Sequence, residues 1–360
     1  MAAELTHALR ALAFGWLALG CSPRPALDVA GAPSEGLVFV RRVAGRDDLY
    51  RARLADGAVR PFLATPQRNA VWPYWNDAAR RLVYEMDPVD GASADLRIWQ
   101  AGEESSRPLT ETPRDEGWPE WSPDGTRVVF AFRSKQDAGI AAIEVASGRE
   151  EQLASSGTSD YFFRPSYAPD ARRVVAQRRG EGGGSTLWLL QASAQPQPLT
   201  HEAGWFEQKP FFTRDGASVV FARERGAEPR EIARVDAQGR VEPLAAGQAG
   251  ADEHSARPSP TRDEIAFVSD RDGSRDVFLA PLDGGPARNL TRTPGRDEFA
   301  PRWSPDGERI ALTSVPPQPP GRAGDRLDPS QTRLVVIDRS GRVLFETDGM
   351  MADWMPPFDR

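Results

Sequence analysis

The sequence predicts an all-β chain closed as a β-propeller, and three observations predict it. A short pattern recurs along nearly the whole chain; its best copies are Pro119-Glu120-Trp121-Ser122-Pro123-Asp124-Gly125 and Pro301-Arg302-Trp303-Ser304-Pro305-Asp306-Gly307. Weaker copies start at Pro73, Pro165, Pro210 and Pro258, so successive anchor prolines are 46, 46, 45, 48 and 43 residues apart. Each copy is followed by alternating apolar runs of strand length, and a period of roughly 40 to 45 residues with several strands per unit marks propeller blades. No stretch after the first 21 residues holds a helical apolar period over three turns.

The unit from Pro258 shows the elements in order. Ile265 to Ser269 alternates and is β-prone, Asp270 to Ser274 is a turn cluster, Asp276 to Ala280 is a further strand, Asp283-Gly284-Gly285 turns again, and Arg288 to Thr291 is the last strand. With the anchor segment this makes four antiparallel strands per blade. In the Ser-Pro-Asp-Gly segment the proline presets φ, the aspartate bonds back to nearby amides and the glycine accepts φ > 0, so these aspartates read as structural. Trp75, Trp121, Tyr167, Phe212 and Trp303 occupy the aromatic position and read as packing between blades.

The ends of the chain set the expected blade number. Residues Gly36 to Leu63 match three strands of a unit without its anchor, and Asp353 to Phe358 resemble an anchor with nothing after it. Six internal units and one closing blade shared by N- and C-terminal strands predict seven blades, with six as the alternative if one degenerate unit is absorbed. Residues 315–332 read as an exposed insertion, either a contact element or a tolerated loop.

The N-terminus predicts export. Residues 1–20 read as a signal peptide: Arg10 flanks an apolar run, Ala11 to Gly20, too short to span a bilayer as a helix. Leu17-Ala18-Leu19-Gly20-Cys21 resembles a lipoprotein cleavage box, which implies that Cys21 is lipidated. It is the only cysteine, so no disulfide is expected. Residues 21–36 read as a flexible tether and 37–360 as one propeller domain. Ser22 after the cysteine implies, by resemblance to Gram-negative sorting, the periplasmic face of the outer membrane; a secreted or soluble periplasmic form is the alternative.

The P-x-W-S-P-D-G turn, the following apolar strand and the Leu-Thr ending resemble the repeat of TolB-like propellers, the WD40-like or PD40 group. The resemblance covers residues 37 to 360 and implies the fold rather than a function. TolB itself carries an α/β domain before its propeller; here the propeller is expected to begin soon after Cys21, so no counterpart is expected.

The chemistry expected from the residues is sparse. A formal net charge of −7 argues against nucleic acid or an anionic membrane surface as partner. There is no G-x-S-x-G pentapeptide, and His201 and His254, the two histidines beyond the leader, lack zinc-motif spacing. Acidic residues recur just before the anchors. Asp115, Glu116, Asp160, Glu202, Asp297, Glu298 and Asp353, with His254 among such residues, are therefore expected at one channel mouth. They read as a solvated rim, as a funnel for a divalent cation or basic peptide, or as a carboxylate pair. Tyr161, Trp205 and Phe206 there suit either channel-edge packing or sugar stacking. The resulting expectation is a monomeric, non-enzymatic envelope lipoprotein without a required cofactor, binding another envelope protein or peptide. The alternative is a polysaccharide-binding protein or carbohydrate-active enzyme.

Overall fold

The described residues of a computed structural model of the chain hold twenty-eight strands joined by turns and no α-helix. Those residues are 36–63, 68–88, 93–180, 182–244, 250–317 and 331–357. The expected signal peptide, Cys21 and the tether lie outside them, as does most of the 315–332 insertion.

Strands β1 (Gly36–Val43), β2 (Arg46–Arg53) and β3 (Ala58–Leu63) open the chain. Then come β4 (Arg68–Asn76), β5 (Arg81–Pro88), β6 (Asp95–Gln100) and β7 (Arg107–Pro108), followed by β8 (Asp115–Trp121), β9 (Arg127–Arg133), β10 (Ala138–Glu144) and β11 (Glu150–Ser156). Next are β12 (Tyr161–Tyr167), β13 (Arg173–Arg179), β14 (Ser185–Gln191) and β15 (Gln197–Pro198), then β16 (Phe206–Phe212), β17 (Ser218–Glu224), β18 (Glu231–Asp236) and β19 (Val241–Pro243). The last are β20 (Glu253–Pro258), β21 (Glu264–Ser269), β22 (Asp276–Pro281), β23 (Arg288–Asn289), β24 (Asp297–Trp303), β25 (Arg309–Val315), β26 (Arg333–Asp338), β27 (Val343–Asp348) and β28 (Met350–Met355).

The pairing makes four-stranded antiparallel blades, but corrects the expected number. Five discrete four-stranded sheets form, not seven or six: β28-β1-β2-β3, β4 to β7, β8 to β11, β20 to β23 and β24 to β27. The units anchored at Pro165 and Pro210 instead share one eight-stranded sheet, β12 to β19. The physical reason is a single parallel bridge between Ser185 of β14 and Phe206 of β16, where the Ser185 amide donates to the Trp205 carbonyl at 3.1 Å. In the first of the five sheets, β28 pairs antiparallel with β1, joining the two ends of the described chain.

A second correction concerns the unit around Pro258. Trp75, Trp121, Tyr167, Phe212, Trp303 and Trp354 each face the first apolar residue of the next strand in register. In β20 the residue in that place, opposite Ile265, is Pro258 itself. The true anchor position there is Ala256, which removes the uneven 48 and 43 spacings.

Every inner strand carries the same irregularity. Trp72, Trp118, Arg164, Lys209, Ser255, Ala300 and Met351 all adopt φ between 49 and 57°, and the pairing register shifts at each. A bulge with one left-handed residue bends a strand and re-aims the side chains after it. The Ser-Pro-Asp-Gly turns follow: Asp124 accepts from Ser122 Oγ at 2.6 Å and from the Thr126 amide at 3.0 Å. Gly125 has φ 69°, and a Cβ there would lie 2.6 Å from Asn76 Oδ1 of the preceding blade, so glycine is required twice over.

The core lies between the faces of neighbouring sheets. Val83, Leu96 and Ile98 pack against Trp121, Val128 and Phe130, and Leu37, Phe39 and Ala52 against Ala311, Leu334 and Val336. This is why the strands read as nearly continuous apolar runs: both faces of each sheet are covered.

Candidate functional site

The residue that follows each anchor position lies just beyond the bulge. In chain order these are Tyr74, Glu120, Ser166, Phe211, Arg257, Arg302 and Asp353. Five of them, Tyr74, Glu120, Arg257, Arg302 and Asp353, line one pocket of about 380 Å³ together with Trp75, Trp121, Trp303 and Trp354. The bulges therefore gather residues nearly 280 positions apart at the C-terminal ends of the inner strands.

The indoles fix the walls. Trp121 Nε1 donates to the Tyr74 carbonyl at 2.9 Å, Trp303 Nε1 to the Arg257 carbonyl at 2.9 Å, and Trp354 Nε1 to the Arg302 carbonyl at 3.0 Å. Each bond runs from one blade to the backbone of the blade before it. These tryptophans thus pack between blades and also wall the pocket.

The charges inside are unevenly matched. Arg302 Nε donates to Asp353 Oδ1 at 2.9 Å and its guanidinium lies 4.8 Å from the Tyr74 ring centroid. The other Asp353 oxygen accepts from the Trp75 amide at 2.8 Å. Burial works against the Arg302 charge, but Asp353 and Tyr74 outweigh it and hold its pKa above the ordinary value. Glu120 accepts from Ser166 Oγ at 2.9 Å and the Tyr167 amide at 3.2 Å, and burial raises its pKa despite Arg257 and Arg302 nearby. Arg257 differs from both. Its guanidinium stacks 3.5 Å from the Phe211 ring centroid and makes no hydrogen bond to another described residue. Burial and the neighbouring Arg302 press its pKa down to about 10.

The acidic residues expected at the mouth occupy the opposite, N-terminal ends of the inner strands, with one exception. Asp353 lines the pocket. Glu116 and Glu298, with their equivalents Glu207 and Glu253, are at most 2% exposed. They satisfy local donors at the seams: Glu207 takes the Leu187 amide at 3.1 Å and the Thr200 hydroxyl, and Glu116 takes Thr112 Oγ1 at 2.7 Å. Burial pushes Glu207 up to about 7; burial and nearby Asp276 push Glu298 up to about 8. Asp115 is exposed and accepts the Ala94 amide at 3.2 Å. Asp160 pairs with Arg178 at 2.7 Å, Glu202 reaches Arg223 at 3.5 Å, and Asp297 pairs with Arg275 at 2.9 Å. Among the described residues no three of His, Cys, Asp and Glu converge as a metal-ligand set. Tyr161 lies 5.1 Å from the Arg133 guanidinium and Trp205 lies 4.1 Å from that of Arg223.

His254 belongs to a different constellation. Its Nδ1 is 2.9 Å from Ser255 Oγ, and Lys209 Nζ of the preceding inner strand donates to that same Oγ at 3.0 Å. The imidazole stacks on Phe299 at 6.0 Å, and its buried Nε2 has no hydrogen-bond partner among the described residues. Burial, then the cations Arg230, Lys209 and Arg275, hold its pKa well below the usual 6.5, so the ring is neutral near pH 7. A neutral imidazole beside a hydroxyl can accept its proton.

No protein-family profile matches the chain. One 58-residue stretch is 38% identical to "Tricorn protease homolog 1" of Streptomyces coelicolor, covering 16% of this chain and 5% of that protein. A stretch of the same length is 43% identical to "Uncharacterized peptidase YuxL" of Bacillus subtilis, covering 16% of this chain and 9% of that protein. The chain therefore matches only a small part of these curated relatives. Among solved structures, puromycin hydrolase superposes with a TM-score of 0.67 at 19% identity over 91% of this chain and 54% of the other. Oligogalacturonate lyase in complex with manganese gives 0.62 at 16% identity, covering 78% and 82%. TolB from Acinetobacter baumannii gives 0.53 at 17% identity, covering 90% and 83%. At such identities the structural likenesses show the fold alone: a propeller shared with TolB proteins. The sequence relatives correct the expectation of a non-enzymatic scaffold, because both stretches match proteins named as peptidases.

Proposed function

We propose that this chain is the substrate-receiving propeller of a peptidase-type enzyme, taking peptide at the tryptophan-walled pocket. The observation that carries this reading is the pocket itself: four indoles beside cationic and anionic groups, in a fold whose partial sequence relatives are peptidases. Aromatic walls with a few fixed polar groups suit a peptide, which offers apolar side chains and backbone amides together.

On this reading acyl transfer is assigned to Ser255, which is buried beside His254 and lies outside the pocket lining, so a peptide cleaved here must reach past the pocket. Its Oγ would attack the peptide carbonyl while its proton passes to His254 Nδ1, then on to the leaving amine; water would cleave the resulting ester. The left-handed φ of Ser255 is shared by all seven equivalents and is a property of the bulge, not a mark of catalysis.

The test is turnover of a fluorogenic peptide panel by the purified protein. Wild type should cleave at least one peptide, and Ser255→Ala should lower kcat/KM by at least about a hundredfold. A wild type that cleaves none would sink the enzyme reading for this chain. Cleavage that survives in Ser255→Ala would sink the nucleophile assignment alone.

A further inference from the structure

We infer that Arg257 is the recognition point for a peptide carboxylate in the channel pocket, a subsite that rests on the peptide-receiving reading and names its substrate class. Three observations place it there. First, the Arg257 guanidinium lines the pocket, and among the described residues no carboxylate or carbonyl accepts its N–H groups. Arg302, one inner strand away, is by contrast already paired with Asp353. Second, Phe211 holds the guanidinium by its face at 3.5 Å. Stacking leaves the N–H edges free in the plane of the group, and two parallel edges match the two oxygens of a carboxylate. Third, the Tyr74 hydroxyl lines the same pocket and likewise makes no hydrogen bond to a described residue.

The electrostatics agree with the geometry. Arg302 and burial press on the Arg257 charge, and Glu120 and Asp353 support it only from beyond hydrogen-bond distance. A ligand carboxylate would supply the missing counter-charge at contact. The aromatic walls on either side then select the residue next to it, which favours a peptide end or an acidic side chain within an apolar segment.

The experiment is a titration followed by native tryptophan fluorescence, since four indoles line the pocket. The probes are tetrapeptides with one aromatic residue in three forms: free C-terminal acid, C-terminal amide, and amide with an internal glutamate. The expected result is that wild type binds the free acid about tenfold or more tightly than the plain amide. The glutamate-bearing amide tells whether the carboxylate is terminal or a side chain. Arg257→Gln should erase the preference, and Arg257→Lys should restore part of it because charge returns without the bidentate edge. The Arg257 guanidinium makes no hydrogen bond to a described residue, and the backbone carbonyl that accepts from Trp303 is kept in both variants, so both should melt close to wild type. Equal affinity for acid and amide would overturn the carboxylate site while leaving peptide reception intact. Failure of all three peptides would overturn both. Arg257-dependent binding of an oligogalacturonide in their place would overturn the peptide as the ligand.

Discussion

Six of the seven seams between inner strands are closed in two different ways; at the seventh, entered by β4, the Trp75 indole turns to Asp77 and its amide donates to Asp353. At the seams from β4–β7 to β8–β11, from β20–β23 to β24–β27, and from β24–β27 to the β28-containing blade, an indole N–H reaches back to the preceding backbone. At the seams entered by β12, β16 and β20 the equivalent residues are Tyr167, Phe212 and Pro258, none of which can place an indole N–H there. Other contacts serve instead. Glu120 takes the Tyr167 amide, a strand bridge joins Ser185 to Phe206, and Lys209 reaches Ser255. The first kind of seam is closed by one repeated device, the second by residues particular to each seam. The same asymmetry separates wall from chemistry: the indole seams shape the pocket, while Arg257 and Ser255 belong to the strand that lacks an indole.

The largest expected effect tests that contrast directly. Trp303 is buried and donates to Arg257 O. Trp303→Ala should cost about 3–5 kcal/mol of unfolding free energy by urea titration, and Trp303→Phe about 1–2, because the buried carbonyl is left without its donor. Phe212→Ala, at a partly exposed position with no hydrogen bond to lose, should cost less than half as much as Trp303→Ala. Equal costs would show that the indole seams are not the stronger ones.

The repeated carboxylates at the other ends of the inner strands give the next effect, and its sign can be worked out. Glu298 titrates near 8 in the folded chain because burial and Asp276 disfavour its charge. The unfolded chain titrates near the ordinary value of 4.5, so the folded state holds more protons between these two limits. Stability from this group is therefore full below about 4.5 and is lost as pH rises to about 8. Glu298→Gln, which keeps the shape without the charge, should match wild type in melting temperature at pH 5 and exceed it at pH 8.5. A variant less stable than wild type at pH 8.5 would mean that the carboxylate is wanted charged.

The repeat shows in the sequence because architecture repeats. The Ser-Pro-Asp-Gly turns, the alternating strands and the acids before the anchors recur, and the turns and strands build the fold. The site does not recur. Tyr74, Glu120, Ser166, Phe211, Arg257, Arg302 and Asp353 share one structural position but no chemical type, so pattern reading passes over them as the variable residue of P-x-W. The acids before the anchors drew attention by recurring, yet Glu116 and Glu298 are buried at seams. The blade number failed for a related reason. A single bridge between Ser185 and Phe206 decides whether eight strands form two sheets or one, and no residue pattern announces it. Pro258 shows how a strong signal misleads: a proline two residues late mimics the anchor and hides Arg257 at the site position. One sequence cue could have found it, since 46 residues from Pro210 and 45 before Pro301 fall on Ala256, not Pro258.

The smallest effect separates the aromatic ring at an indole-free seam from its polar tip. Tyr167 is buried, and its hydroxyl has no hydrogen-bond partner among the described residues. Burial raises its pKa to about 12, so it stays neutral and contributes no charge at any working pH. A buried hydroxyl without a partner costs desolvation and returns nothing. Tyr167→Phe should therefore be neutral or stabilising by up to about 1 kcal/mol in urea titration. Tyr167→Trp tests the seam itself: if an N–H at this place can reach the preceding backbone as Trp121 and Trp303 do, the variant should gain stability over Tyr167→Phe. If Tyr167→Phe instead loses 1 kcal/mol or more, the hydroxyl has a partner in solution, and this seam is closed by a polar contact like its indole counterparts.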